Sequence, residues 1–422
     1  MKILVLLPRI PIPARDGGSI VMYQTLRELH TSGNQVDVFA LNTHKHHADP
    51  AGMAEICSWV NAANVDSRVT FLGLISSIVP FSFPRGFGYN GPVPYWIRRF
   101  AKLDVLTALR KAVHERGPYD IILCESLFTA GYGLALSNYS ENQGCAPILL
   151  RAHNIEHRIQ ERLSRDSEQP WYKRLYGSLL ARQTMRYEKD VAQRVNGIVA
   201  ISDEDARFFI TDTSQDQVTV VSPGVDLPQL PYVEVDNNAI CLLGSLNWAP
   251  NVNSVLWFVH SVFPIVQAMR PGATVHIAGK DTPLEIEALH DGKSIFVYGE
   301  IDNALAFRRS KAISVVPLKS GSGIRIKILE SLAASCAVVT TSVGCEGLRV
   351  DNRKHLRIEN DPKPFAEACV NLLNDRALAD SLGKNGRELV SSHYSWSHSN
   401  ELLANFMGKV IERATRRSTE VD

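Results

Sequence analysis

Residues Lys2–Leu7 read Lys-Ile-Leu-Val-Leu-Leu, an unbroken apolar run of strand length that suits a parallel strand buried on both faces. A loop rich in proline and glycine, Pro8 to Gly18, comes next. Ser19 can then cap a helix running to about Ser32, with Gly33 as its stop. A second buried strand, Gln35–Ala40, completes one strand–helix–strand unit. The pattern recurs. Tyr119–Cys124, Ala146–Leu150 and Gly197–Ile201 read as further buried strands. A Ser202-Asp203-Glu204-Asp205 cap then leads into the helix-period stretch Glu204–Phe209. Such alternation predicts parallel sheets covered by helices.

The pattern breaks at Ser222–Glu234, where Pro-Gly-Val-Asp-Leu-Pro-Gln-Leu-Pro reads as an interdomain linker. A second strand series follows: Ala239–Leu243, Thr274–Ala278, Ser294–Tyr298, Ile313–Pro317 and Ala337–Thr340, with helices between. The expected architecture is α/β, with two doubly wound Rossmann-like domains in tandem over residues 1–222 and 223–395. Each would carry a ligand crevice at the carboxyl ends of its strands. Residues 396–422 are left for an amphipathic helix, from Trp396 to about Arg413, and a charged tail.

Composition narrows the class. The 422 residues exceed what one ordinary core organises. Lys+Arg 45 against Asp+Glu 44 gives a formal charge of +1, which argues against a nucleic-acid binder. The seven cysteines are scattered, with no Cys-x-x-Cys pair, and suit reduced thiols rather than disulfides or zinc. The apolar start before Pro8 is too short for a signal peptide. No apolar run in the sequence approaches the roughly 20 residues that span a bilayer. A cytoplasmic protein is expected, lying at most on the inner face of a membrane.

The strongest chemical signal is Pro317–Gly347, PLKSGSGIRIKILESLAASCAVVTTSVGCEG. A buried strand ends at Pro317, the loop Gly321-Ser322-Gly323 follows, and a helix starts near Ile324 and runs to about Ser335. Backbone N–H groups of the loop would face an anion at the positive end of that helix. Arg325 and Lys327 add cations in the first turn, where they oppose the helix dipole unless an anion compensates them. Glu330 follows and can accept hydrogen bonds from two sugar hydroxyls. A diphosphate at the loop with its ribose beside Glu330 satisfies all these groups.

Here the chain resembles the GT-B glycosyltransferases, specifically the retaining family 4, "glycosyl transferases group 1", over nearly its whole length. The family writes Glu-x7-Glu before an alanine-rich helix and a Val-Val strand. Glu330 matches the second Glu, and Ser322 stands at the first. The run Gly323-Ile-Arg325-Ile-Lys327-Ile-Leu-Glu330 is similar to a subgroup with Gly-x-Arg-x-Lys-x-x-Glu, found in exopolysaccharide and cell-surface glycan transferases. The resemblance implies a GT-B fold, with a cleft between the domains and a C-terminal helix crossing back to the first. It further implies sugar transfer with retention from a nucleotide-diphosphate sugar to a glycan or lipid-linked acceptor. In the family an Arg/Lys pair for the diphosphate follows the second domain's first strand. That segment here, Gly244 to Asn251, has no basic residue, so Arg325 and Lys327 take the role. The alternatives are a nucleotide-sugar epimerase of the same fold and a non-catalytic GT-B scaffold.

The resemblance brings in further residues. Gly17-Gly18-Ser19 matches the family's Gly-Gly loop, where backbone can approach the donor. Leu149–Ile159, LLRAHNIEHRI, places His153, beside Arg151 and Glu156, at a strand end, and the family's His here contacts the transferring sugar. Gly299-Glu300 falls at the family's nucleobase pocket, and Ser222-Pro223-Gly224-Val225-Asp226 at its interdomain hinge. No Asp-x-Asp pair with a metal-site setting occurs, so no metal and no other cofactor is expected. The histidines 44, 46 and 47 read as a solvated loop. From Arg85 to Arg116, Arg98, Arg99, Lys102, Arg110 and Lys111 interleave with Phe87, Tyr89, Tyr95, Trp96 and Phe100. That mixture fits either an anionic membrane surface or a solvated helix with core aromatics.

Overall fold

The computed structural model describes residues 1–14, 16–69, 84, 86–87, 91, 93–137, 146–165, 170–230, 232–320 and 323–419. The chain forms two compact units, Met1–Ser222 with Ser399–Asp422, and Pro223–His398.

The first unit holds seven parallel strands: β1 (Lys2–Leu7), β2 (Gln35–Thr43), β3 (Trp59–Val65), β4 (Ile121–Cys124), β5 (Ile148–Ala152), β6 (Gly197–Ala200) and β7 (Val218–Val220). Their order is β3-β2-β1-β4-β5-β6-β7, a doubly wound sheet with β1 paired to β2 on one side and β4 on the other. Residues of β1 alternate between two cores, as a period of two requires. Leu4 and Leu6 join Phe39, Leu41, Ile122 and Leu150 on one face. Ile3, Val5 and Leu7 join Val36, Val38, Met22 and Leu26 on the other. Burying each such side chain is worth about 1.5–3 kcal/mol, so the central strands anchor the unit.

The helix after β1 spans Gly17–Thr31 and is capped by Asp16, three residues earlier than the Ser19 expectation. The Asp16 carboxylate accepts from the Ser19 amide at 3.1 Å, and the Ser19 hydroxyl accepts from the Asp16 amide at 3.1 Å. Ser19 thus closes a reciprocal capping box from the third helical position. The C-terminal helix, Trp396–Thr419, contributes Leu403, Phe406, Met407 and Val410 to the first unit's core. Gly197 makes room for it, since a Cβ there would stand 2.8 Å from Val410 and 3.2 Å from Phe406.

The second unit holds β8 (Asp236–Leu243), β9 (Thr274–Ala278), β10 (Ile295–Val297), β11 (Lys311–Val316), β12 (Ala337–Thr340) and β13 (Arg357–Ile358), all parallel, in the order β10-β9-β8-β11-β12-β13. One continuous helix, Ala249–Met269, corrects the reading that no apolar stretch has membrane-spanning length. Its Val255, Phe258, Val262, Phe263 and Val266 are buried in the unit's core, which explains why it is so apolar. Its middle turn, Phe258–Val262, is a π-helix that ends two residues before Pro264, whose missing N–H interrupts the regular ladder.

Candidate active site

In the second unit, β11 ends at Val316, and the chain returns through Gly323, at φ 77°, into the helix Ile326–Ala333. Gly321 and Ser322 lie outside the described residues. Arg325 is the residue before this helix rather than part of its first turn, with φ −88° and ψ 89°. Its buried guanidinium donates to the Gly323 carbonyl at 2.7 Å and lies 5.9 Å from the centre of the Trp248 ring. That position moves one cation off the helix, whose positive end it would oppose.

Lys327 is the second helical residue, and its ammonium donates to Asn251 Oδ1 at 2.7 Å. Asn251 is fixed in this orientation because its amide nitrogen donates to the Ser245 carbonyl at 2.6 Å. The turn after β8 passes close by, and a Cβ at Gly244 would stand 3.5 Å from Lys327 Nζ. Burial, and next the charge of Arg325, push the ammonium down to about 7. Glu330, one turn further along, is 45% exposed and accepts from the buried guanidinium of Arg308 at 3.0 Å. Arg325, Lys327 and Glu330 thus all lie on the segment that follows the carboxyl end of β11, the end at which parallel sheets bind ligands.

The first unit carries a second polar cluster at its strand ends. Glu125 follows β4 and His153 follows β5, its sheet neighbour. His153 Nε2 lies 2.8 Å from Glu125 Oε2, and Arg151 Nη1 lies 3.6 Å from Glu125 Oε1. Arg151 also donates to Thr25 Oγ1 at 2.5 Å, tying the cluster to the helix Gly17–Thr31. Glu125 and Arg151 are each 1% exposed, while the His153 side chain is 18% exposed. Burial works to raise the Glu125 carboxyl, but Arg151 and His153 outweigh it and hold it below the usual range.

Glu156 and His157 begin the helix Glu156–Arg165, and Glu188 supplies its cap. The Glu188 carboxylate accepts from the backbone amides of Glu156 at 2.6 Å and His157 at 3.2 Å, with His157 Nδ1 at 2.6 Å. Burial, together with the charge of Glu188, pushes the Glu156 carboxyl up to about 8.

Gly17 and Gly18 are the first helical residues after Asp16, whose carboxylate already caps that helix and pairs with Arg9. Gly299 follows β10 at φ 69°, its carbonyl accepting from the Gly279 amide at 2.8 Å. Between Phe87 and Arg116 these aromatic residues turn inward: Trp96 and Phe100 pack edge-on against Phe128, and Phe87 is buried in the core. Arg116 pairs with the buried Asp37 at 2.8 Å. These packed aromatics fit the core-helix alternative rather than a membrane face, and Arg85 and Tyr89 lie outside the described residues.

The sequence pattern typical of Glycosyltransferase Family 4 matches residues 15–229, and that of "Glycosyl transferases group 1" matches residues 237–375. The chain belongs to Glycosyltransferase Family 4. It is a glycosyltransferase of the GT-B fold. Over 93% of its length it is 24% identical to a 44.6 kDa protein in the cps region of Klebsiella pneumoniae, covering 96% of that protein. A shorter stretch, 22% of this chain and 27% of the relative, is 34% identical to a glycosyltransferase of Methanocaldococcus jannaschii. Among solved structures, sucrose-phosphate synthase from Thermosynechococcus elongatus matches with a TM-score of 0.68 at 17% identity, covering 98% of this chain and 100% of that one. HepE of Anabaena, solved in complex with UDP, matches with a TM-score of 0.65 at 13% identity over 97% and 100%. At these identities the structural likeness speaks to the fold.

Within this family-4 chain the structure adds residues that sequence reading passed over. Asn251 and Arg308 hold Lys327 and Glu330, and Glu125 holds His153. Each lies far along the chain from its partner, so no local spacing marks it. The one available sign was position: Glu125 directly follows a buried strand, where a carboxylate is unusual unless paired.

Proposed function

We propose that this glycosyltransferase moves a sugar from a nucleoside diphosphate to a glycan or lipid-linked acceptor, with retention of anomeric configuration, in the assembly of a surface polysaccharide. The observation that carries this reading is Lys327, a lysine held near neutrality at the carboxyl end of a parallel sheet. Its ammonium rests on a neutral amide and is repelled by Arg325. An anion there would relieve the repulsion and restore the charge. A diphosphate supplies that anion, and Glu330, already oriented by Arg308, can accept from two ribose hydroxyls.

As the sugar–phosphate bond breaks, charge grows on the departing diphosphate. In this reading Lys327, Arg325 and the first amides of the helix Ile326–Ala333 stabilise it, and no metal ion is required. His153 contacts a hydroxyl of the transferring sugar. The cps-region relative supports a polysaccharide role, and the UDP complex of HepE makes uridine nucleotides the first donors to try. A thermal-shift screen of UDP, GDP, ADP and their sugars tests the reading, because a ligand that binds the folded state raises its melting temperature. One nucleotide series should raise Tm by several degrees at saturation. No shift with any of them would sink the donor assignment. Product anomer analysis by NMR then decides retention.

A further inference from the structure

Four side chains from separate parts of the first unit form one buried line: Thr25, Arg151, Glu125 and His153. Thr25 comes from the helix Gly17–Thr31, Arg151 from β5, and Glu125 and His153 from the ends of neighbouring strands. Such a line is costly to assemble by chance. A buried carboxylate must recover its lost hydration from nearby partners, and Glu125 finds a guanidinium on one oxygen and an imidazole on the other. The imidazole is also the member that reaches solvent, at 18% exposure against 1% for Glu125 and for Arg151.

We propose that Glu125 is a positioning residue for sugar transfer, pinning the Nε2 edge of His153 so that Nδ1 is the acceptor nitrogen offered to a sugar hydroxyl. The inference rests on the placing of His153 at the transferring sugar. An ionised carboxylate has no proton to give, so the hydrogen in the 2.8 Å contact belongs to the ring, on Nε2. In the neutral ring the other nitrogen then keeps its lone pair. Among the described residues, Nε2 is the ring nitrogen with a protein partner, so Nδ1 is available to a hydroxyl that donates to it. Thr25 holds the Arg151 guanidinium, whose charge lies 3.6 Å from the carboxylate's other oxygen and keeps Glu125 ionised as an acceptor for the ring.

Ring-labelled 15N-histidine NMR tests this at about pH 9, where an ordinary imidazole is neutral. The His153 signals are assigned by their loss in His153→Asn. The expected spectrum has the His153 proton on Nε2, shifted downfield and exchanging at least tenfold more slowly than ring protons of the exposed His44 and His46. Glu125→Gln should abolish that protection. A wild-type proton on Nδ1 overturns the proposal even if Glu125→Gln does not fold, and so does a protected Nε2 proton that survives in a folded Glu125→Gln.

Turnover of the sugar nucleotide selected by the thermal screen supplies the functional arm. Glu125→Gln should lower kcat by about 10–100-fold with the donor KM within twofold, and should lower it no further in a His153→Asn background. Equal losses in both backgrounds would make Glu125 a structural residue and overturn the proposal. His153→Asn with wild-type turnover would instead refute the placing of His153 at the sugar, and the NMR result would still report on the Glu125 contact.

Discussion

At the strand ends of the first unit, buried charges meet their opposites. Glu125 lies between Arg151 and His153, and Asp37 meets Arg116. At the strand ends of the second unit the matching fails. Lys327 rests on a neutral amide, burial and the charge of Arg325 outweigh the pull of Glu330 on its ammonium, and Glu330 is itself held by Arg308. The first arrangement balances its own charges, which suits a group whose task is to hold a shape. The second is short of negative charge, which a diphosphate would supply. Two sheets of the same topology class thus carry opposite electrostatic designs, one closed on itself and one open to an anion.

The comparison breaks first if the cations do not bind nucleotide. Lys327→Ala and Arg325→Ala should each weaken binding of the selected nucleoside diphosphate by about 1.5–3 kcal/mol, the loss of one charge-assisted contact. Titration calorimetry measures it. Unchanged affinity in both variants, with folding intact, would remove the anion site.

A subtler test uses pH. Free Lys327 loses its proton near pH 7, and a bound diphosphate raises that point, so binding above pH 7 takes up a proton. Affinity should therefore fall as pH rises from 7 to 9, by up to about tenfold per unit. Calorimetry in two buffers of different ionisation enthalpy counts the protons. A flat profile in the wild type would mean that the ammonium never meets the ligand.

In the first unit the exception to matched charge is Glu156 beside Glu188. Its folded value of about 8 lies above the unfolded value of 4.5, so the folded state holds the extra proton in that window. Stability is lost as pH rises from about 4.5 to about 8, and the full penalty stands above 8. Glu156→Gln should raise Tm by several degrees more at pH 8 than at pH 3.5, where the carboxyl is protonated in both the folded and the unfolded state. An equal gain at both values would locate the effect elsewhere. The smallest expected effect is none: transfer should persist in EDTA, and a complete loss restored by Mn²⁺ would contradict metal-independent catalysis.

Much of the fold was legible because the central strands are buried on both faces and written in β-branched and aliphatic residues. β1, β9 and β12 fall at the expected bounds. The strands that escaped detection are β3, β7 and β13. β3 is mostly half-buried, β7 is three half-buried residues and β13 only two, so none has a core-facing pattern to read. Helix starts moved for local reasons. Asp16 competes with Ser19 as a cap, and Arg325 folds back onto Gly323 instead of entering the helix. At the candidate site, the loop–helix motif and His153 were visible because each is a short run in sequence. Asn251, Arg308 and Glu125 were not, since their partners stand 76, 22 and 28 positions away and only folding brings them together.

The C-terminal helix has a consequence for how the protein is made. Leu403, Phe406, Met407 and Val410 complete a core whose other members lie within the first 222 residues. On a ribosome adding about 5–20 residues per second, the roughly 190 residues between Ser222 and Val410 take about 10–40 s to appear. For that interval the nascent first unit presents an uncovered apolar stripe beside Gly197, a surface for chaperones or for aggregation. Messages truncated before codon 403 should therefore yield insoluble product even though every strand of the first sheet has been translated.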